Sequence, residues 1–307
     1  MRAGRACSFA LRGTPVTILC VTHRTEYRYH RPVILGPHRL MCRPRDSHDL
    51  RLIDTGIFIS PPPAELRWMH DVFGNSIAVA TFDSPSEALR FESSFRAEHY
   101  PLPERTLVVD DYAATLPFAY TASEERDLAS LRARQYPDPE QRLDAWVQSV
   151  LATVPGMHTL EAIMAIVHHI KSSFVYRRRE EAGVQMPVET LDGGSGSCRD
   201  FAVFMMEAVR CLGLAAQFVS GYLYDAALVD AGEGLLGGGA THAWVQVYLP
   251  GTGWVEFDPT NALIGGRNLI RVAVAREATQ AAPLVGSFTG TAADLLGMTV
   301  TIEVKAE

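Results

Sequence analysis

The sequence predicts an α+β fold in which a β-rich N-terminal part precedes a core of helices and antiparallel strands. Residues 16–110 alternate polar and apolar side chains with a period of two, which is typical of strands. Residues 139–307 run from helical patterns through a glycine-rich loop into further strands. The 307 residues suffice for two modest domains, and 47% hydrophobic with 21% charged content is ordinary for a soluble globular protein.

The strand prediction for the N-terminal part depends mainly on residues 23–30 and 89–96. In both stretches, charged side chains alternate with aromatic, aliphatic or hydroxyl ones, so the two sets would lie on opposite faces of a strand. We therefore expect an antiparallel β domain over residues 16–110. Residues 1–15 lack the apolar segment and cleavage site of a signal peptide, and we expect them to form a disordered extension.

The C-terminal part begins with helices. Residues 111–138 are polar and contain prolines, and we interpret them as a linker with a short helix near residues 124–134. Apolar residues at helical spacing then predict one helix at about 140–153 and another from about Thr159. A third helix should follow the glycine loop and end at Gly213.

Strands complete the C-terminal part. Alternating patterns occur at residues 216–224, 243–249, 254–258, 269–276 and 298–305. We assign all of these strands, together with the helices, to one domain that spans residues 139–307.

Composition excludes several classes of function. The net charge of −7 offers no basic surface for nucleic acid, and no apolar run approaches the length of a membrane span. The five cysteines include no CxxC pair, which favours free thiols and a cytoplasmic location. The adjacent His168 and His169 cannot face one site, and the glycine loop lacks the Lys-Ser/Thr of a P-loop. We therefore predict neither a bound metal nor an organic cofactor.

Cys198 is the candidate nucleophile. It follows the loop at residues 193–197 and falls in the first turn of a predicted helix. Unpaired backbone N–H groups and the positive end of the helix dipole favour a thiolate there and could also stabilise an oxyanion. The alternative is a buried cysteine that only packs as a small apolar side chain. The neighbouring Arg199 and Asp200 are expected on the surface side of the helix, and the charge run at residues 177–181 on a solvated helix end.

His242 and Asp258 are the candidate base and orienting carboxylate. They lie on two strands joined by the tight turn at residues 250–253, which brings them opposite each other to within one or two residues. Cross-strand neighbours are about 5 Å apart, so a hydrogen bond between them is geometrically natural. With Cys198 they supply a nucleophile, a base and a group that fixes the tautomer of the base.

Ordered short stretches around these residues carry a family resemblance. They are Ser195–Ala202, Val219–Tyr222, Thr241–Val245 and Gly253–Asn261, with Thr25–Tyr29 and Asp71–Asn75 in the N-terminal half. Together they resemble the bacterial transglutaminase-like superfamily. The resemblance implies an N-terminal β-sandwich followed by a papain-like core, in which a nucleophile helix packs on an antiparallel sheet. It places the family's catalytic Cys, His and Asp on Cys198, His242 and Asp258.

Three aromatic residues are weaker candidates for substrate contacts. Trp244 and Trp254 flank His242 and Asp258 in sequence and could shield an acyl-enzyme from water, although ordinary strand packing is an equal alternative. Tyr176 could donate a hydrogen bond to an oxyanion, with a core position as the alternative.

The function predicted from these features is thiol-dependent acyl transfer from amide bonds of protein or peptide substrates. Hydrolysis is favoured because nothing in the sequence identifies an amine-binding site. A protein-glutamine transglutaminase and a non-catalytic binding module on the same fold are the alternatives. The sequence leaves open the acyl acceptor, calcium dependence and oligomeric state.

Overall fold

The N-terminal part forms two antiparallel sheets that pack face to face. The computed structural model describes residues 17–100, 107–179, 181, 183–224 and 240–307, so the extension expected at residues 1–15 lies outside the described residues. The first strands are β1 (Thr17–Leu35), β2 (His38–Arg43), β3 (Leu50–Ser60), β4 (Glu65–His70), β5 (Ser76–Thr81) and β6 (Ser86–His99). Leu89 and Phe91 of one sheet pack with Leu40 and Ala78 of the other, so the predicted β-sandwich is confirmed.

The segment predicted to be a linker packs against the core. Helix α1 (Ala122–Arg132) begins with a capping box between Thr121 and Glu124. Its buried side chains contact Ala215, and the hydroxyl of Tyr120 accepts a hydrogen bond from the Ala215 backbone N–H at 3.0 Å. The polar composition of this segment therefore reflects one solvated helix face and does not mark a free connector.

The core contains helices on one side of a five-stranded antiparallel sheet. Its helices are α2 (Arg142–Leu151), α3 (Thr159–Ser173), α4 (Pro187–Gly193) and α5 (Cys198–Cys211). Its strands are β7 (Val175–Tyr176), β8 (Ser195–Gly196), β9 (Ala216–Leu223), β10 (Thr241–Leu249), β11 (Gly253–Asp258), β12 (Leu263–Ile264) and β13 (Leu269–Ala275). The sheet order is β12-β11-β10-β9-β13, and β7 pairs with β8 separately. The predicted α+β class and the two helices after residue 139 are confirmed.

Helix α5 lies between the sheet and the other helices. The sequence predicts one apolar face on this helix, but nearly all of it is buried, including Glu207 and Arg210. These two side chains form a buried ion pair with a 2.8 Å hydrogen bond. Arg210 also donates to the backbone carbonyl oxygens of Leu131, Ala216 and Arg276, which fixes the C-terminal half of α5 to its neighbours.

The last strands join the N-terminal sandwich, which corrects their assignment to the C-terminal domain. They are β14 (Leu284–Val285), β15 (Phe288–Thr289) and β16 (Leu295–Ala306). Strand β16 pairs with β1 from Leu19 to Tyr29, and β14 pairs with β2. Without β16, the long strand β1 would expose a row of unpaired backbone groups along one edge. The other domain boundaries drawn from the sequence stay predictions.

Side-chain contacts join the sandwich to the core sheet. Leu19 and Phe95 of the sandwich pack with Tyr222 and Ile270 of the core. The Asn75 amide makes hydrogen bonds of 2.7 and 2.9 Å with the backbone of Val274 on β13. Short 3-10 helices occur at Asp111–Ala113, Pro155–Met157, Ala278–Ala281 and Ala292–Asp294. Among the described residues, no helix is long and apolar enough to cross a membrane.

Candidate active site

The glycine loop and its capping interactions position Cys198 as the first residue of α5. Ser197 is the N-cap, and its backbone N–H and hydroxyl both donate to Asp200 Oδ2 at 2.8 Å. A Cβ on Gly196 would lie 2.8 Å from the Asp200 Cβ, so only glycine fits there. Cys198 is 7% exposed, at the end of the helix where unpaired N–H groups are concentrated.

Asp200 lies in the interior, which corrects its expected position on the surface side of the helix. It is fully buried and accepts hydrogen bonds of 2.7 Å from the Gln185 backbone N–H and from Arg179 Nη1. Burial opposes its ionisation, but these donors and those of Ser197 lower its pKa overall. Arg179 is held by its hydrogen bond with the buried Asp200, although the charge run at residues 177–181 was expected to be solvated. The Ser-x-x-Asp spacing from Ser197 to Asp200 was the sequence signal for this role.

His242 lies on β10, directly opposite Gly221 of β9. It is 1% exposed, and its Nε2 is 2.8 Å from Asp258 Oδ2. Val245 pairs with Phe257 across β10 and β11, which places Asp258 two positions diagonally from His242. The hydrogen bond expected between the two residues is therefore present. Side chains on both faces of β10 are buried.

Asp258 is a fully buried carboxylate with donors on both oxygens. Its Oδ1 accepts from the backbone N–H groups of Thr260 and Asn261, at 2.8 and 3.3 Å. Its Oδ2 accepts from the Asn261 amide at 2.8 Å, in addition to the bond with His242. Burial raises the pKa of Asp258, but His242 and these donors together lower it. Sequence reasoning assigned no role to Asn261, although an Asp followed by polar turn residues is the usual signal for such a hydrogen-bonded turn.

The imidazole of His242 interacts with Asp258 on one side and with Cys198 on the other. Burial lowers the pKa of His242, but the Asp258 carboxylate and the Cys198 sulfur together outweigh burial and raise the pKa to about 10. Because Nε2 faces Asp258, Nδ1 is the nitrogen left for the thiol, and Nδ1 has no hydrogen-bond partner among the described residues. The geometry can hold a positive imidazolium beside a sulfur nucleophile.

The three aromatic candidates occupy different places. Trp244 is fully buried and stacks on His242, with ring centroids 5.9 Å apart. Tyr176 pairs with Gly196 two residues before Cys198, and Cys198 contributes to raising its pKa, after burial. Trp254 pairs with Tyr248 at the other end of the hairpin and lines a separate cavity of about 340 Å³. Four residues of strand, roughly 13 Å, separate it from Asp258, which favours the alternative of ordinary strand packing for Trp254.

Gly221 leaves the space that the Trp244 ring and the Ile270 backbone occupy. A Cβ at Gly221 would lie 2.1 Å from the Ile270 carbonyl oxygen and 2.7 Å from Trp244 Cη2. We expect Gly221→Ala to lower the free energy of unfolding by about 1–3 kcal/mol, because the overpacked sheet must shift. Urea denaturation measures the change. Gly297→Ala on β16 is the matched control, since no atom lies within 4 Å of its added Cβ; equal losses in the two variants would contradict the prediction.

The described residues offer no metal site. Among them, no group of three or more His, Cys, Asp or Glu side chains could hold a metal ion. The side chains that meet at Cys198 are a thiol, an imidazole and a carboxylate.

The fold and the site together define a class of protein. A cysteine at the start of a buried helix and a His–Asp pair on the facing antiparallel sheet are the papain-like arrangement. Residues 19–98 match the bacterial transglutaminase-like N-terminal region, and residues 145–259 match the transglutaminase-like superfamily. The two matches cover more than half of the chain, which belongs to the transglutaminase-like superfamily. The family resemblance noted in the sequence is confirmed.

Relatives extend over nearly the whole chain. It is 28% identical over 293 residues to the uncharacterized protein Rv2569c of Mycobacterium tuberculosis (strain H37Rv), covering 93% of this chain and 91% of that protein. It is 26% identical over 299 residues to the uncharacterized protein ML0607 of Mycobacterium leprae, covering 92% and 97%. A crystal structure of a candidate cysteine protease from Cytophaga hutchinsonii superposes with a TM-score of 0.70 at 17% identity, covering 96% of this chain and 91% of that one. The structural similarity shows the fold.

Proposed function

We propose that the chain is a thiol-dependent acyl-transfer enzyme that cleaves amide bonds of protein or peptide substrates through an acyl-thioester on Cys198. The observation that carries the proposal is the buried 2.8 Å hydrogen bond between His242 and Asp258, beside a cysteine at a helix N-terminus. Burying an ionisable pair is costly, and such pairs with displaced pKa values concentrate at catalytic sites. The membership of the superfamily supports the same reading.

In the proposed reaction, the Cys198 sulfur attacks the amide carbon and the carbonyl electrons move to oxygen. Backbone N–H groups at the start of α5 are suited to stabilise that oxyanion. Collapse of the intermediate expels the amine, which takes a proton from the imidazolium of His242 and leaves S-acyl Cys198. Neutral His242 then takes a proton from water as the water oxygen attacks the thioester. The acid leaves, and the thiolate–imidazolium pair is restored.

The activated thiol can be tested by alkylation. We expect brief iodoacetamide treatment below pH 8 to label Cys198 selectively, because the imidazolium of His242 stabilises the attacking thiolate. The other described cysteines are internal controls: burial raises the pKa of Cys20 and Cys42, and raises that of Cys211 to about 12. Intact-protein and peptide mass spectrometry across pH measures the labelling.

Variants of His242 and Cys198 show whether the reactivity of the Cys198 thiol comes from activation by His242 or only from exposure to the reagent. In His242→Gln and His242→Ala, labelling of Cys198 below pH 8 should fall to the rate of Cys20. Cys198→Ser should remove the labelled peptide altogether. If wild-type Cys198 reacts no faster than Cys20, the thiol is not activated, and the non-catalytic binding module becomes the better interpretation.

The acyl acceptor is a separate question, for which we propose water. Digestion of a defined peptide mixture in ¹⁸O-water should give new carboxyl termini that carry the heavy isotope. The same mixture with putrescine tests the alternative of amine transfer. Putrescine adducts on glutamine side chains without new termini would establish transglutaminase activity instead, and would contradict hydrolysis while retaining the thioester.

We also propose the substrate class, the partners and the cellular location of the chain. The substrates that we propose are polypeptides. The net charge of −7 favours the absence of nucleic-acid partners, and we propose no membrane partner. The absence of CxxC pairs favours a location in the cytoplasm. Cell fractionation that placed the chain elsewhere would overturn the location.

A further inference from the structure

A run of three arginines lies beside the nucleophile. Strand β7 pairs in parallel with β8, so Tyr176 is opposite Gly196, two residues before Cys198. The pairing continues one residue further, because the Arg177 backbone N–H donates to the Gly196 carbonyl at 2.8 Å. Residues 176–178 therefore run alongside the loop that ends at Cys198.

The backbone on both sides of Arg178 is fixed to the start of α5. Before it, Arg177 is bonded to Gly196. After it, the Arg179 guanidinium donates to the buried Asp200 carboxylate at 2.7 Å, and the Arg179 carbonyl accepts from Arg199 Nη2 at 3.4 Å. Arg178 is thus held against the segment that contains Cys198, and this placement does not depend on its own side chain.

The charges of Arg178 and Arg199 are not neutralised by the described residues. Arg178 is exposed and Arg199 is half-buried, and neither forms an ion pair with any residue that the structure describes. Arg199 donates only to backbone carbonyls, those of Arg179 and Glu181. By contrast, Arg179 is paired with Asp200 and, at 3.6 Å, with Glu181. Among the described residues, two positive charges therefore remain without an acidic partner beside the nucleophile, in a chain whose net charge is −7.

Both charges act where the substrate must approach. Burial, Cys198 and Asp258 raise the pKa of the half-buried Tyr176, and Arg178 and Arg199 partly oppose that rise. The Tyr176 hydroxyl therefore lies within electrostatic range of the nucleophile and of both guanidinium groups. A substrate chain bound at Cys198 would meet the same field.

We propose that Arg178 and Arg199 are specificity-determining residues that select acidic polypeptide segments, with an Asp or Glu side chain beside the scissile amide. The inference rests on the proposed function, since it concerns the substrate class of the same site. Arginine suits this role because its guanidinium donates to carboxylates in a fixed fork geometry. A partly exposed pair of this kind changes a rate by roughly 1.5- to 5-fold.

The first test compares an anionic and a neutral reagent on Cys198. Iodoacetate and iodoacetamide form the same thioether bond, but only iodoacetate carries a negative charge. We expect the ratio of the iodoacetate rate to the iodoacetamide rate at low salt to fall by roughly 1.5- to 5-fold in Arg178→Gln and in Arg199→Gln. Arg178→Lys, which keeps the charge, should retain most of the ratio. The exposed Arg126 on α1, at the far end of the core, supplies the control variant Arg126→Gln, with the wild-type ratio.

The ratio of the iodoacetate rate to the iodoacetamide rate tests the selection of acidic segments, whereas the iodoacetamide rate alone tests the proposed function. Slow iodoacetamide labelling of wild-type Cys198 would count against the activated thiol, whereas a ratio that is equal in wild type, Arg178→Gln and Arg199→Gln would overturn the selection of acidic segments. A matched peptide pair with Glu or Gln beside the cleaved bond completes the test. Wild type should show a higher kcat/KM for the Glu peptide, and Arg178→Glu should reverse that preference; an unchanged preference in Arg178→Glu would also overturn the inference.

Discussion

Cys198→Ala should abolish amide turnover, with a loss of kcat on the order of 10⁶-fold. The sulfur is the atom that forms the acyl bond in the proposed reaction, and no other side chain in the described part of the site can replace it. The fold should persist, because the loss of one sulfur from a site that is 7% exposed leaves only a small cavity. Turnover of a cleavable peptide and the thermal unfolding midpoint measure the two effects.

Cys211→Ala is the matched control for this variant. Cys211 lies at the other end of the same helix, and burial raises its pKa to about 12, so its thiol stays protonated. Its removal should leave turnover within about twofold of wild type. Equal activity of Cys198→Ala and wild type would contradict the mechanism, and a shared loss of activity would point to a structural effect on α5.

Local sequence signals predicted the parts of the molecule that local chemistry determines. The glycine loop and the helical pattern that follows it are sufficient to place Cys198 at a helix start. The turn between β10 and β11 is short enough that its residues determine the register, so His242 and Asp258 could be placed within bonding reach. Period-two alternation likewise predicted the strands of the sandwich.

Long-range pairing and the choice of buried polar groups could not be predicted in this way. The alternating residues of β16 fit any sheet with a free edge, and only the three-dimensional arrangement shows that β1 provides that edge. The Ser-x-x-Asp spacing indicates that Asp200 caps the helix, but it does not show that Asp200 is buried, because its burial depends on donors from Arg179 and Gln185, which are distant in sequence. Trp254 is close to Asp258 in sequence, but an extended strand places the two far apart.

Asp258→Asn should lower kcat/KM by about 10²- to 10⁴-fold, less than His242→Ala, because it misorients the base and does not remove it. Both carboxylate oxygens accept hydrogen bonds only: Oδ1 from the Thr260 and Asn261 backbone, and Oδ2 from His242 and the Asn261 amide. An asparagine must direct its NH₂ group at one of these pairs of donors. In either orientation, hydrogen bonds are lost in a buried site. When the NH₂ group faces His242, Nε2 can no longer donate to this side chain, and the imidazole changes its tautomer or orientation.

Asp258→Asn should also shift the alkaline limb of the pH profile of kcat/KM, called the upper limb below, to lower pH. In wild type, the Asp258 carboxylate is the main cause that raises the pKa of His242 to about 10, so the imidazolium that protonates the leaving amine persists far above neutrality. Without that charge, burial remains and lowers the pKa of His242, so the acid is lost at lower pH. Asn261→Ala keeps the carboxylate and should leave the limb near its wild-type position. An unchanged upper limb in Asp258→Asn would show that His242 is not the acid. Among the described groups, His242 is the one whose pKa Asp258 raises through a direct hydrogen bond.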